Sequence, residues 1–168
     1  MGRDRRPTFS PMKLVLGARI RVKEVRNEGR SESVVIANEG HMDQPLTGWM
    51  LASLKGTQVF RFDDGLVLHP GASVIVTSGQ GVAHKPPTTL AWTDETVWNN
   101  RGDVALLFDY EGSEVARFAY PASRAEQVER LPKQLLVRED SGAFRIESSR
   151  REPSRNRQKV PRSVKSKA

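Results

Sequence analysis

Between Ile20 and Ala119, short apolar runs recur about every ten residues, each closed by Gly, Pro, Asn or Asp. This spacing constrains the fold more than any other feature. Runs of this length suit strands and are too short for ordinary helices, and strands in such regular succession build a sandwich or a barrel. Ile20 and Val22 alternate with Arg19, Arg21 and Lys23, the pattern of a strand wetted on one face, and Asn27-Glu28-Gly29 turns it. Residues 33–37 (SVVIA) and 48–54 (GWMLASL) are predicted central strands. Val59, Phe60 and Phe62 lead to the Asp63-Asp64-Gly65 turn, residues 66–68 stop at Pro70-Gly71, and 73–77 (SVIVT) follow. Residues 104–108 and 115–119 flank Tyr110-Glu111-Gly112 and read as a hairpin.

After Pro121 the pattern changes. Ser123 followed by Glu126 has the spacing of a capping box, and Ala125, Val128 and Leu131 can share a helical face before Pro132 ends it. Residues 135–137 and 144–146, joined across Asp140-Ser141-Gly142, are expected to add a hairpin that covers a sheet edge. The chain therefore divides into a flexible N-terminus (1–15), an all-β sandwich (16–121), an extension of short helix and hairpin (122–149) and a basic tail (150–168).

The net charge of +7 sits entirely in that tail. Arg150, Arg151, Arg155, Arg157, Lys159, Arg162, Lys165 and Lys167 face a single acid, Glu152, whereas residues 1–149 carry 19 basic and 19 acidic side chains. Apart from its prolines, the tail's apolar residues are Val160, Val164 and Ala168, too few to offset an ordering cost of roughly 1–2 kcal/mol per residue, so the sequence predicts disorder there. Its cations can neutralise phosphates and release counterions without reading bases, and it offers no aromatic for stacking. The same charges suit an anionic membrane surface or a localisation signal, and composition does not separate these.

Other chemistry finds little support. With no cysteine, disulfides, thiolate metal sites and thiol nucleophiles are excluded. Pro11 and Lys13 break any apolar run behind Arg3, Arg5 and Arg6, and no stretch approaches a membrane span, so a soluble, cytoplasmic protein is expected. Of His41, His69 and His84, only His41 has a nearby acid, Asp43 two residues on; all three are read as turn or surface histidines, with His84 packed by its neighbouring prolines. Asp63-Asp64 and Asp94-Glu95 flank turns, where acids serve as solvated caps. Ser78-Gly79-Gln80-Gly81 lacks the Gly-Lys-Ser/Thr ending of a phosphate loop. No catalytic, metal-ligating or cofactor-binding residue is assigned, and no enzyme is expected. Trp49 is read as core, while Trp98, beside Asn99-Asn100, is the tryptophan to test for exposure.

Four pieces occur in a telling order: Gly48-Trp49; Leu68-His69-Pro70-Gly71; the stretch 84–92 with Pro86, Pro87 and Trp92; and the stretch 97–106 with Trp98, Asn99, Asn100, Gly102 and Asp103. From Ile20 to Tyr120 this order resembles the lamin tail domain, the immunoglobulin-like module at the C-terminal end of nuclear lamins that also occurs in bacterial proteins. The stretch 97–106 looks like the version common among bacterial members. The resemblance implies an immunoglobulin-like β-sandwich with a tryptophan between the sheets and a tight loop at 99–102, whose residues tolerate φ > 0 or cap their own backbone. It also implies a non-catalytic module that meets a protein partner. Two alternatives stand beside it: a structural accessory of an envelope or filament, and a domain associated with a hydrolase or nuclease. There is no heptad-bearing rod, and Ser166-Lys167-Ala168 offers no prenylation cysteine.

Overall fold

The computed structural model describes residues 10–56 and 58–148. In chain order the strands are β1 Ile20–Arg26, β2 Ser31–Asn38, β3 Gln44–Pro45, β4 Met50–Ser53, β5 Val59–Arg61, β6 Val67–Leu68, β7 Ser73–Gly79, β8 Thr89–Thr93, β9 Asp103–Phe108 and β10 Glu114–Tyr120. A 3-10 turn, Ala122–Arg124, runs into helix α1, Ala125–Glu129, and the hairpin β11 Gln134–Arg138 and β12 Phe144–Ser148 follows. One sheet has the order β1-β2-β7-β8 and the other β10-β9-β4-β5, with β3-β6 and β11-β12 as two-stranded additions. This is the expected immunoglobulin-like sandwich.

Two strand patterns separate the sheets. On β2 the buried residues Glu32, Val34, Ile36 and Asn38 alternate with more exposed ones, as do Val74 and Val76 on β7, because the outer face of this sheet is uncovered. Strands β4 and β9 are buried throughout. Their inward side chains Leu51, Ala105 and Leu107 join Trp49, Phe62 and Trp98 between the sheets. Their outward side chains Met50, Ala52, Val104, Leu106 and Phe108 pack beneath a third layer of Val128, Leu136, Phe144 and Ile146. The solid run VALLF thus reflects a strand covered twice, whereas SVVIA reflects one covered once.

Most pairings are antiparallel, but β7 and β8 are parallel, an arrangement the spacing of the runs did not indicate. The intervening loop turns back along β7, where the Thr77 hydroxyl donates to the Ala83 carbonyl at 3.0 Å. The chain consequently re-enters the sheet in its former direction.

Two local expectations are corrected. The Ser123 side chain makes no capping bond: it lies within the 3-10 turn, where the Arg124 amide already donates to the Pro121 carbonyl. Residues 10–15, assigned to a flexible N-terminus, include an arm held across the sandwich end. There the Trp49 indole donates to the Met12 carbonyl at 2.7 Å, and the buried Gln44 amide accepts from Val15 N–H and donates to the Lys13 carbonyl. The 99–102 loop uses both devices expected of it: Gly102 has positive φ, at +117°, and the Asn99 side chain accepts the Arg101 amide.

Candidate functional site

The stretch 97–104 is a polar clamp between the two sheets. From β2, the buried Glu32 carboxylate accepts the Val97 amide at 2.7 Å, the Trp98 amide at 3.2 Å and the Ser78 hydroxyl at 2.8 Å. From β9, the buried Asp103 carboxylate accepts the Ser53 hydroxyl at 2.6 Å, its neighbour Val104 N–H at 2.7 Å, and the Lys55 and Asn99 amides at 3.2 and 3.3 Å. Between them the Asn99 carbonyl accepts the Tyr120 hydroxyl at 3.1 Å. Burial, with Asp103 and Glu32 nearby, pushes the Tyr120 phenol above its ordinary pKa, so it stays a donor. Each carboxylate has its oxygens occupied by several donors, which meets the hydrogen-bonding need of a buried polar group.

Sequence reasoning missed Glu32. Its signal was register: it stands in phase with Val34 and Ile36 on the buried face of β2. Asn38, two positions on, was missed in the same way. Its side chain donates to the Leu68 and Met42 carbonyls and accepts from Arg19 and Gly40. Gly71, at φ +76°, then donates its amide to the Asn38 carbonyl, which seats the Pro70-Gly71 turn.

The aromatic expectations are partly reversed. Trp98 is buried at 3% exposure, and Trp92 is the more exposed tryptophan. The two rings meet edge to face at 6.0 Å, and Phe60 lies 5.8 Å from Trp92 and 5.0 Å from Phe62. Trp98 is drawn inward because Glu32 holds its backbone. Gly48, at φ +74°, makes the turn that places the fully buried Trp49 just before β4 rather than within it.

His84 is exposed, not packed by Pro86 and Pro87; its Nδ1 accepts the Ala91 amide at 3.2 Å. Asp43 pairs with His69 at 2.8 Å rather than with His41. Among the described residues, no three of His, Asp and Glu gather to hold a metal ion, and no helix is long and apolar enough to cross a membrane. The basic residues Arg150, Arg151, Arg155, Arg157, Lys159, Arg162, Lys165 and Lys167 lie outside the described residues.

Pro86 and Pro87 wall a cleft of about 300 Å³ with Phe60, Leu66 and Leu90, and Asp63 and Asp64 stand among its lining. Pro86 and Pro87 are exposed there, as are the motif residues Pro70, Gly71, Asn99 and Asn100 elsewhere on the described surface.

The two-sheet sandwich agrees with the comparisons. Over 102 residues the chain is 31% identical to Lamin-B2 of Homo sapiens, covering 58% of this chain and 16% of that protein. The chain therefore corresponds to only a small part of that relative's length. Residues 17–122 match the family described as Lamin Tail Domain, and the chain belongs to that family.

Proposed function

We propose that the chain is a non-catalytic interaction module: the sandwich meets a protein partner, and the basic residues 150–168 attach it to a polyanion, nucleic acid above all. The observation that supports the reading is the division of polar chemistry along the chain. Inside the sandwich, the Glu32 and Asp103 carboxylates are taken up by backbone and hydroxyl donors that join the sheets. The net charge lies in the tail, where cations can exchange condensed counterions for phosphates.

The test is fluorescence anisotropy of a labelled DNA duplex with the full chain across a salt series. If all eight cations engage, log K falls against log salt with a slope of about −7, and fewer contacts lower it in proportion. Replacing Lys159, Arg162, Lys165 and Lys167 by Gln should weaken binding and flatten the slope together. Unchanged affinity and slope would remove nucleic acid from the proposal. A structural role in an assembly is the second reading, favoured by the likeness to Lamin-B2 and by the half-buried Val35 and Ile75 on the uncovered sheet face. Light scattering that shows only monomers at high concentration would count against it.

A further inference from the structure

We propose that the cleft between the Asp63–Leu66 turn and the Pro86-Pro87 loop docks the chain's own Lys159-Val160-Pro161-Arg162 segment. The cleft joins an apolar wall of Phe60, Leu66, Leu90, Pro86 and Pro87 to Asp63 and Asp64. Neither aspartate has a cationic partner among the described residues. Its lining holds no Lys or Arg, whereas four other clefts each include at least one: Arg26, Lys55 with Arg124, Lys55 with Arg145, and Arg61 with Arg138. The occupant that fits is a short extended segment with an apolar centre and cationic ends.

The sequence supplies one. Val160-Pro161 is bracketed directly by Lys159 and Arg162. The proline disfavours helical backbone at Val160 and favours the extended form, and aromatic and proline walls suit such a segment. Lys159 follows Ser148, the last described residue, by eleven positions, a span of up to about 36–40 Å. A domain of this size has a radius of gyration of about 14 Å, so the span is more than twice that radius and covers much of the surface around Ser148. A tethered segment acts at an effective concentration on the order of millimolar, so even a contact of millimolar affinity is well populated. Docking would withdraw Lys159 and Arg162 from a polyanion, and a polyanion would empty the cleft. The contact itself does not depend on whether nucleic acid is the tail's partner.

The absence of cysteine makes the test clean. A nitroxide is placed on Ser163→Cys of the full, isotopically labelled chain, and amide intensities are read by NMR at about 0.05 M and about 0.5 M NaCl, where the Debye length falls from about 14 to 4 Å. At low salt the amides of Gly65, Leu66 and Leu90 should broaden selectively and recover at high salt. Adding Asp63→Asn and Asp64→Asn should remove the broadening, as should Val160→Asp. Broadening elsewhere, or none, overturns the proposal. So does broadening that persists in the Asn variant, because the charge match would then be irrelevant. Broadening seen only when labelled chain is mixed with separately spin-labelled chain would assign the cleft to a second copy and overturn docking within one molecule.

Discussion

Glu32 shows how much one residue can hold when its charge is shared among donors rather than paired with a cation. Its oxygens accept two backbone amides from the 97–98 turn and one hydroxyl from β7, so it joins three segments far apart in sequence. In Glu32→Gln one oxygen becomes an amide that must face a donor, and a stranded buried group costs about 1–3 kcal/mol. A urea titration should show a lower midpoint with an unchanged m-value; a midpoint within error of the parent would deny the clamp its role. Gly102 makes the complementary case in the backbone. At φ +117° it leaves no room for a side chain: a Cβ would lie 2.7 Å from the Tyr120 carbonyl and 2.8 Å from Pro121. Gly65, at φ +90°, has nothing within 4 Å of that position. Gly102→Ala should therefore lower the melting temperature clearly more than Gly65→Ala, which carries the conformational penalty alone. On the surface, the hydrogen bond from Lys23 holds the Glu39 carboxyl below its ordinary value, helped by the charges of Lys23, Arg19 and Arg21. A depressed pKa gives a stabilisation that is present above the unfolded-state value and lost as pH falls through the folded one. Lys23→Met should shift the Glu39 titration upward by NMR, and added salt should shrink the difference between the two proteins.

At the scale of elements, the extension is tied to the sandwich by hydrogen bonds from a strand arginine rather than by helix capping. Arg117 on β10 pairs with the nearly buried Glu114, and its guanidinium donates to the Val128 carbonyl at 2.7 Å and the Pro132 carbonyl at 3.1 Å. This explains why the capping-box spacing misled. A helix of five residues between Pro121 and Pro132 is set from its C-terminal end by a strand residue, and nothing local to Ser123 reveals that. The β11–β12 hairpin was legible because the turn residues Asp140-Ser141-Gly142 advertise it, and Gly142 adopts φ +86°. What it covers was not legible. The sequence reading placed it at a sheet edge; Leu135 does bridge Ser113 beside the edge strand β10, but Leu136 and Phe144 also pack on the outward side chains of β4 and β9. Arg117→Met leaves Glu114 buried without its cation, a change that costs about 3–5 kcal/mol where a pair is fully buried and less here because Arg117 is partly exposed. Hydrogen exchange should then accelerate in β11 and β12 before it does in β2 and β7. Uniform acceleration would mean that the extension is not a separable layer.

At the scale of the molecule, the sandwich was readable because turn residues and two-residue alternation are local signals, and each strand run survives in the structure within a few positions. The parallel β7–β8 pair, the inward Trp98 and the Glu32 clamp were not, since all three depend on which distant strand arrives beside a given side chain. The contrast between SVVIA and VALLF lies between these cases. SVVIA was read as a central strand and VALLF as half of a hairpin; both lie inside their sheets, but their outer faces differ: β2 presents Val35 half-buried to solvent, while β9 presents Leu106 fully buried beneath the extension. The same substitution at these two positions therefore separates covering from centrality. Val35→Lys can extend its ammonium into water along its aliphatic stem and should change stability by no more than about 1 kcal/mol. Leu106→Lys would place an unpaired charge between two apolar layers, at a cost of several kcal/mol, enough to unfold a domain of ordinary stability. Circular dichroism of the two purified variants decides the matter: equal behaviour, in either direction, would show that the third layer does not cover the second sheet as Leu136, Phe144 and Ile146 indicate.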